Sequence, residues 1–215
     1  MSVHDNKRKQ ELSRKKKQNA AERKKQSQSM TSWHLKLTAE EYAQLPIHEC
    51  LVSDSVFRSG IGYVVLSRKL SDSVLAIAVV LLDVYCLGAK DAFVEKKLMG
   101  DYPDFIRNFQ KSRTRMELVE PAYAAKLIKD CVAWARGIGL EPHHTYSQVE
   151  AFCSGIDVTQ CKKEFKFGKN GLPTFINGPF DSPAKCYRII DTLQETVGTD
   201  NFRVMLLGAA AELLD

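Results

Sequence analysis

The chain has no long hydrophobic run. Its longest, Val74 to Leu82, spans nine of the 215 residues and ends at Asp83. A membrane helix needs about 20 apolar residues, so this run reads as a buried strand and no membrane partner is expected. No apolar stretch follows the basic N-terminus, which excludes a secretory signal, and the acids there fit a transit peptide poorly. There is no CxxC pair among the six cysteines (Cys50, Cys86, Cys131, Cys153, Cys161, Cys186). They read as reduced thiols of a cytoplasmic protein, mostly small buried hydrophobes. Internal repeats, a Walker loop and zinc-ligand spacing are also missing, and neither a metal nor a cofactor is expected.

What is present is a lopsided charge. The chain carries a formal +5, and residues 1–28 carry +7 of it, leaving −2 for residues 29–215. Ten cations (Lys7, Arg8, Lys9, Arg14, Lys15, Lys16, Lys17, Arg23, Lys24, Lys25) face only Asp5, Glu11 and Glu22. With Val3 and Leu12 as the only aliphatics larger than alanine, this segment has too little apolar area to offset the entropy of packing. A disordered basic arm over 1–29 and a single α+β domain over 30–215 are predicted. The arm suits phosphates: RNA or the ribosome, or DNA, held by counterion release. It has no aromatic residue, so any base stacking must come from the domain.

Folded structure is expected to begin near Trp33. Thr38-Ala39-Glu40-Glu41 is a capping box opening a short helix that Pro46 ends. Three strand-like stretches follow, about 48–53, 61–69 and 74–85, joined by short turns and therefore antiparallel. The third is apolar on both faces and is placed centrally in the sheet. Helices are predicted from Tyr102-Pro103 and from Glu120-Pro121. The second carries an apolar face of Leu127, Ile128, Cys131, Trp134 and Ile138, with Ile128 and Trp134 in the core. A third helix covers about 146–153. Phe165–Phe167 and Thr174–Ile176 read as a β-hairpin about Asn170-Gly171. Ser182-Pro183 starts another helix that Gly198 stops. A last strand at about 202–207 and a helix at 209–214 complete an antiparallel β-meander with central helices, a hairpin and a C-terminal helix–strand unit.

Three stretches could carry chemistry. In Leu82-Asp83-Val84-Tyr85-Cys86-Leu87-Gly88-Ala89-Lys90-Asp91-Ala92-Phe93, polar groups follow a strand beside a glycine, a common place for sites. Asp83, Lys90 and Asp91 are candidate catalytic groups, with Cys86 a conceivable nucleophile; the plainer reading pairs Asp83 with Lys90 and buries Cys86. In Gly139-Leu140-Glu141-Pro142-His143-His144, His143 is a candidate base, against the commoner loop histidine pair. The third, Phe167 to Pro183, has glycines leading into a helix N-terminus, with Lys185 and Arg188 in its first turns. Hairpin turn plus capped helix accounts for it.

These stretches, written LxDxYCLGxKDAF, LxPH and FGxxGxP…GPxDxP, resemble blocks that recur in the same order in an uncharacterised bacterial protein family. The resemblance spans roughly residues 47–195. It implies one fold unit and brings no established activity; Ala89 stands where a larger aliphatic such as Val is expected. Two functional expectations result: a binding or adaptor protein acting through its arm, or a hydrolase or nuclease using Asp83, Lys90, Asp91 and His143.

Overall fold

The computed structural model describes residues 37–110 and 114–207. The arm, Trp33 and the terminal helix expected at 209–214 lie outside them. Thr38 caps helix α1 (Ala39–Gln44): its hydroxyl accepts from the Glu41 N–H at 3.2 Å, and the Glu41 carboxylate accepts from the Thr38 N–H at 2.7 Å. Strands β1 (Ile47–Ser53), β2 (Ile61–Lys69) and β3 (Val74–Asp83) form the expected meander, with a one-turn helix α2 (Val56–Ser59) between the first two. Two further strands complete a five-stranded antiparallel sheet in the order β4-β3-β2-β1-β5: β4 (Gly88–Leu98) and β5 (Met116–Val119). β3 is therefore interior, while β2 is the middle strand. Both strands that sequence reading passed over are edges. β4 mixes Lys90, Asp91, Glu95, Lys96 and Lys97 into its length, and charge is how edges resist further pairing; β5 has four residues, with Leu118 exposed.

Both sheet faces are covered, which explains the unbroken apolar run of β3. Leu75, Ile77 and Val79 join Leu51 and Val65 beneath Tyr102 and Ile106 of helix α3 (Tyr102–Arg107). The alternate residues, Ala76, Ala78, Val80 and Leu82, are equally buried and face the other way. Helices α4 (Pro121–Gly137) and α5 (Tyr146–Phe152) cover that side. Ile128 of α4 is in the core as expected, but Trp134 is only half-buried, lying beside Phe167 with ring centroids 5.7 Å apart.

A second cluster fills the space beyond the C-terminal end of α4. Leu87, Ile138, Leu140, Phe175, Ile189 and Leu193 pack there under helix α6 (Pro183–Val197). α6 connects β6 (Thr174–Ile176) to β7 (Arg203–Met205), and these two pair in parallel. The hairpin expectation is thus corrected in part. Its turn forms, with Asn170 and Gly171 at φ 57° and 83° and Lys169 bridging Leu172, but the ladder goes no further. The flanking N–H groups have other acceptors: Gly168 donates to Val84 O and Thr174 to Tyr85 O, each at 2.9 Å.

Arg68 ties the sheet to the helical layer. It is 3% exposed, and its guanidinium donates to three carbonyls: Leu45 at 2.7 Å, Phe152 at 3.1 Å and Ser154 at 2.6 Å. These carbonyls lie at or just past the C-terminal ends of α1 and α5, where backbone acceptors lack partners in their own helix. Replacement by Met should fill the volume yet strand all three acceptors. We expect Arg68→Met to lower the unfolding free energy by about 3 kcal/mol or more, measured by urea titration; a loss under about 1 kcal/mol would show that the fork is dispensable.

Candidate functional site

The turn from β3 to β4 is built on one carboxylate. Asp83 Oδ1 accepts from the backbone N–H of Tyr85 at 3.0 Å and of Cys86 at 2.9 Å. Gly88, at φ 66°, then starts β4 where a Cβ would meet that of Ala135 at 2.8 Å. Tyr85 lies across Gly60, and its single hydroxyl proton has the carbonyls of Arg58 and Phe57 as acceptors within reach, at 3.0 and 3.2 Å. Cys86 is fully buried; burial, then the Asp83 charge, pushes its thiol well above the usual range, which makes it a poor nucleophile.

A β-bulge follows. Leu82 faces Ala89 and Leu81 faces Asp91, so Lys90 is the extra residue. Bulges re-aim side chains, and this one delivers the Lys90 ammonium to Asp181, 3.2 Å away, and not to Asp83 as the simple pairing expected. Asp181 also holds Lys185 at 2.7 Å and accepts from the Gly178 N–H at 2.6 Å. Burial alone would raise the Asp181 pKa; the Lys185 hydrogen bond, the Gly178 N–H and the Lys90 charge outweigh it and hold the group below the ordinary range. Asp181 is the organising acid of this cluster. Its signal was in the sequence, four residues before Lys185 on an N-capped helix, but its link to Lys90 spans 91 positions.

Of the four candidate catalytic residues, Asp83 borders one cleft, His143 another and Lys90 both, while Asp91 lines neither. Asp83, Ser59, Tyr85, Asn177 and Lys90 border a narrow one of about 160 Å³. His143, Glu141, Arg188, Lys185 and, again, Lys90 line a wider one of about 440 Å³. Asp91 is 3.7 Å from His143 Nδ1, and its side chain is 59% exposed. The His143 Nδ1 is closer to the Thr145 hydroxyl, at 2.7 Å, and that hydroxyl donates to Ala92 O. One hydroxyl has one proton, so Nδ1 is the donor to Thr145. Asp83 and His143 therefore do not converge on one reacting centre; Lys90 is what they share.

Sequence reading also missed a second surface. The extended segment 161–168 runs along α4, setting Phe165 against Tyr123 (5.1 Å) and Phe57 (5.9 Å, rings within 8° of parallel). Phe167 follows, 6.4 Å from Phe165 and next to Trp134. Lys126 lies over Phe165 and Lys163 over Tyr123, at 5.2 and 5.5 Å. All five rings are half-buried. The Lys-Phe alternation of Lys162-Lys163-Glu164-Phe165-Lys166-Phe167 was the signal, and it was absorbed into the hairpin expectation.

No family model matches this chain, and neither a curated protein nor a solved structure matches it.

Burial raises the Asp83 pKa to about 6; its backbone hydrogen bonds and the Lys90 charge oppose this without prevailing. A raised acid binds its proton more tightly in the folded state, so the native carboxyl contributes most at low pH. That contribution falls as pH rises from about 4 to about 6 and is level above. Asp83→Asn keeps the Oδ1 acceptor and removes the titration. The stability difference, Asn variant minus wild type, should therefore grow in favour of Asn by roughly 2–3 kcal/mol between pH 4 and pH 7. Parallel stability–pH curves for the two proteins would disprove the raised pKa.

Proposed function

We propose that this protein binds RNA through its polybasic arm, with the folded domain as the scaffold that carries it. One observation supports this reading above all: the first 28 residues carry +7 while the remainder carries −2. Ten cations that close together neutralise several phosphates at once, and each contact releases condensed counterions. The charges of the Lys90 cluster are by contrast satisfied within the fold, since Asp181 takes up both Lys90 and Lys185. The division of Asp83 and His143 between separate clefts favours binding over a hydrolytic centre.

This reading makes binding steeply salt-dependent. With about six phosphate contacts, affinity for RNA should fall on the order of a thousandfold between 50 and 200 mM salt, as read by fluorescence anisotropy. Replacing Lys15, Lys16, Lys17, Lys24 and Lys25 with Gln should abolish binding and leave the melting temperature unchanged, whereas neutralising Lys185 and Arg188 should do little. Undiminished binding by the five-fold Gln variant at the same salt would refute the arm as the RNA contact.

A further inference from the structure

We infer that the ring-and-lysine surface formed by α4, α2 and segment 161–168 takes the unstacked bases of single-stranded RNA. The inference rests on the arm reading above and adds the base contact that the arm cannot supply. The rings form a row, Phe57, Phe165, Phe167, Trp134, with centroids 5.9, 6.4 and 5.7 Å apart. Bases stacked in a duplex strand are separated by about 3.4 Å, so the row suits splayed bases and not a helical stack. Splayed bases on aromatic faces are the common mode of single-stranded RNA recognition.

Charge complementarity sets the occupant. Residues 162–169 bring four lysines against Glu164 alone. Lys163 holds a weak cation–π position over Tyr123, a contact that is easily exchanged for a phosphate, whereas Lys126, over Phe165, is also ion-paired with Asp130. A base could replace the Lys163 ammonium on Tyr123 while that ammonium moves to the neighbouring phosphate. Beside Phe165, Tyr123 borders a cleft of about 600 Å³, lined also by Pro121, Ile156, Gln160, Glu120 and Asp157, which has room for a base beside polar acceptors. A protein partner would have to bring acids and ring faces together in the right places, whereas every RNA nucleotide supplies both a ring face and a phosphate.

The test uses the full-length protein with three probes at one salt concentration: labelled oligouridylate, oligothymidylate of equal length, and heparin as a polyanion without bases. Phe165→Leu with Tyr123→Leu keeps apolar volume and removes two ring faces. Oligouridylate affinity should fall by roughly tenfold or more, heparin affinity should not change, and oligouridylate should bind wild type at least as tightly as oligothymidylate. In a Trp33→Phe background, Trp134 is the sole tryptophan, and its emission should be quenched by oligouridylate and not by heparin; this readout decides the matter if the Leu variants melt early. Unchanged Trp134 emission, or oligouridylate affinity insensitive to loss of the rings while the arm variant still fails to bind, overturns this inference and leaves the arm reading standing. Tighter binding of oligothymidylate overturns the assignment to RNA. Wild-type affinity of the arm variant for both oligouridylate and heparin would instead sink the arm reading.

Discussion

A single buried carboxylate constrains most of what surrounds the candidate sites. Asp83 is 6% exposed and gathers the N–H groups of Tyr85 and Cys86, forcing the chain to reverse within the layer between sheet and helices. A turn buried in this way must place every backbone group, and this one does so by recruiting other segments. Val84 donates to Gly60 O, and the carbonyls of Val84 and Tyr85 accept from Gly168 and Thr174. The Cys131 thiol of α4 reaches Asp83 O at 3.7 Å. The ends of β2 and β3, helix α4 and the 168–174 segment are thus fastened at one point. Desolvation in this turn raises the Asp83 pKa to about 6.

Both surfaces described above hang from that turn. On one side it leads through Gly88 into the β4 bulge, which aims Lys90 at Asp181 and fastens the start of α6. On the other, the hydrogen bond to Gly168 fixes where segment 161–168 ends, and so where Phe165 and Phe167 meet α4. The same pairing that halted the expected hairpin thereby created the ring surface.

What was legible in the sequence was local. The capping box at Thr38, the Ser182-Pro183 helix start, the period of α4 and the apolar runs of β1 to β3 are each written within a few residues, and each stands in the structure. The edges were not legible: β4 alternates charged and apolar residues imperfectly, and its identity as a strand comes from ten paired positions on β3. β6 was found as a strand but misassigned in partner, because its parallel mate lies 29 residues on, across α6. Among candidate site residues, Asp83 was expected to need a hydrogen-bond partner if buried and to pair with Lys90, yet the acid that holds Lys90 comes from another block of the chain. Burial of Cys86 followed from its apolar neighbours, whereas the half-exposure of Trp134 depended on where Phe167 came to rest.

The two groups of cations in the domain differ in what a polyanion would have to displace. Lys90 is 15% exposed and Asp181 6%, so drawing that ammonium away would leave a largely buried carboxylate with one fewer partner. Removing one member of a buried pair costs about 3–5 kcal/mol, more than a phosphate in water returns. Lys163 is exposed, and its recorded partner is the face of Tyr123, a contact worth roughly 0.5–1 kcal/mol at such a site. Exposed ion pairs are equally cheap to exchange. A phosphate chain reaching this domain would therefore find the Lys90–Asp181 pair closed and Lys163 open, although both lysines carry the same charge. Burial decides which of them is available.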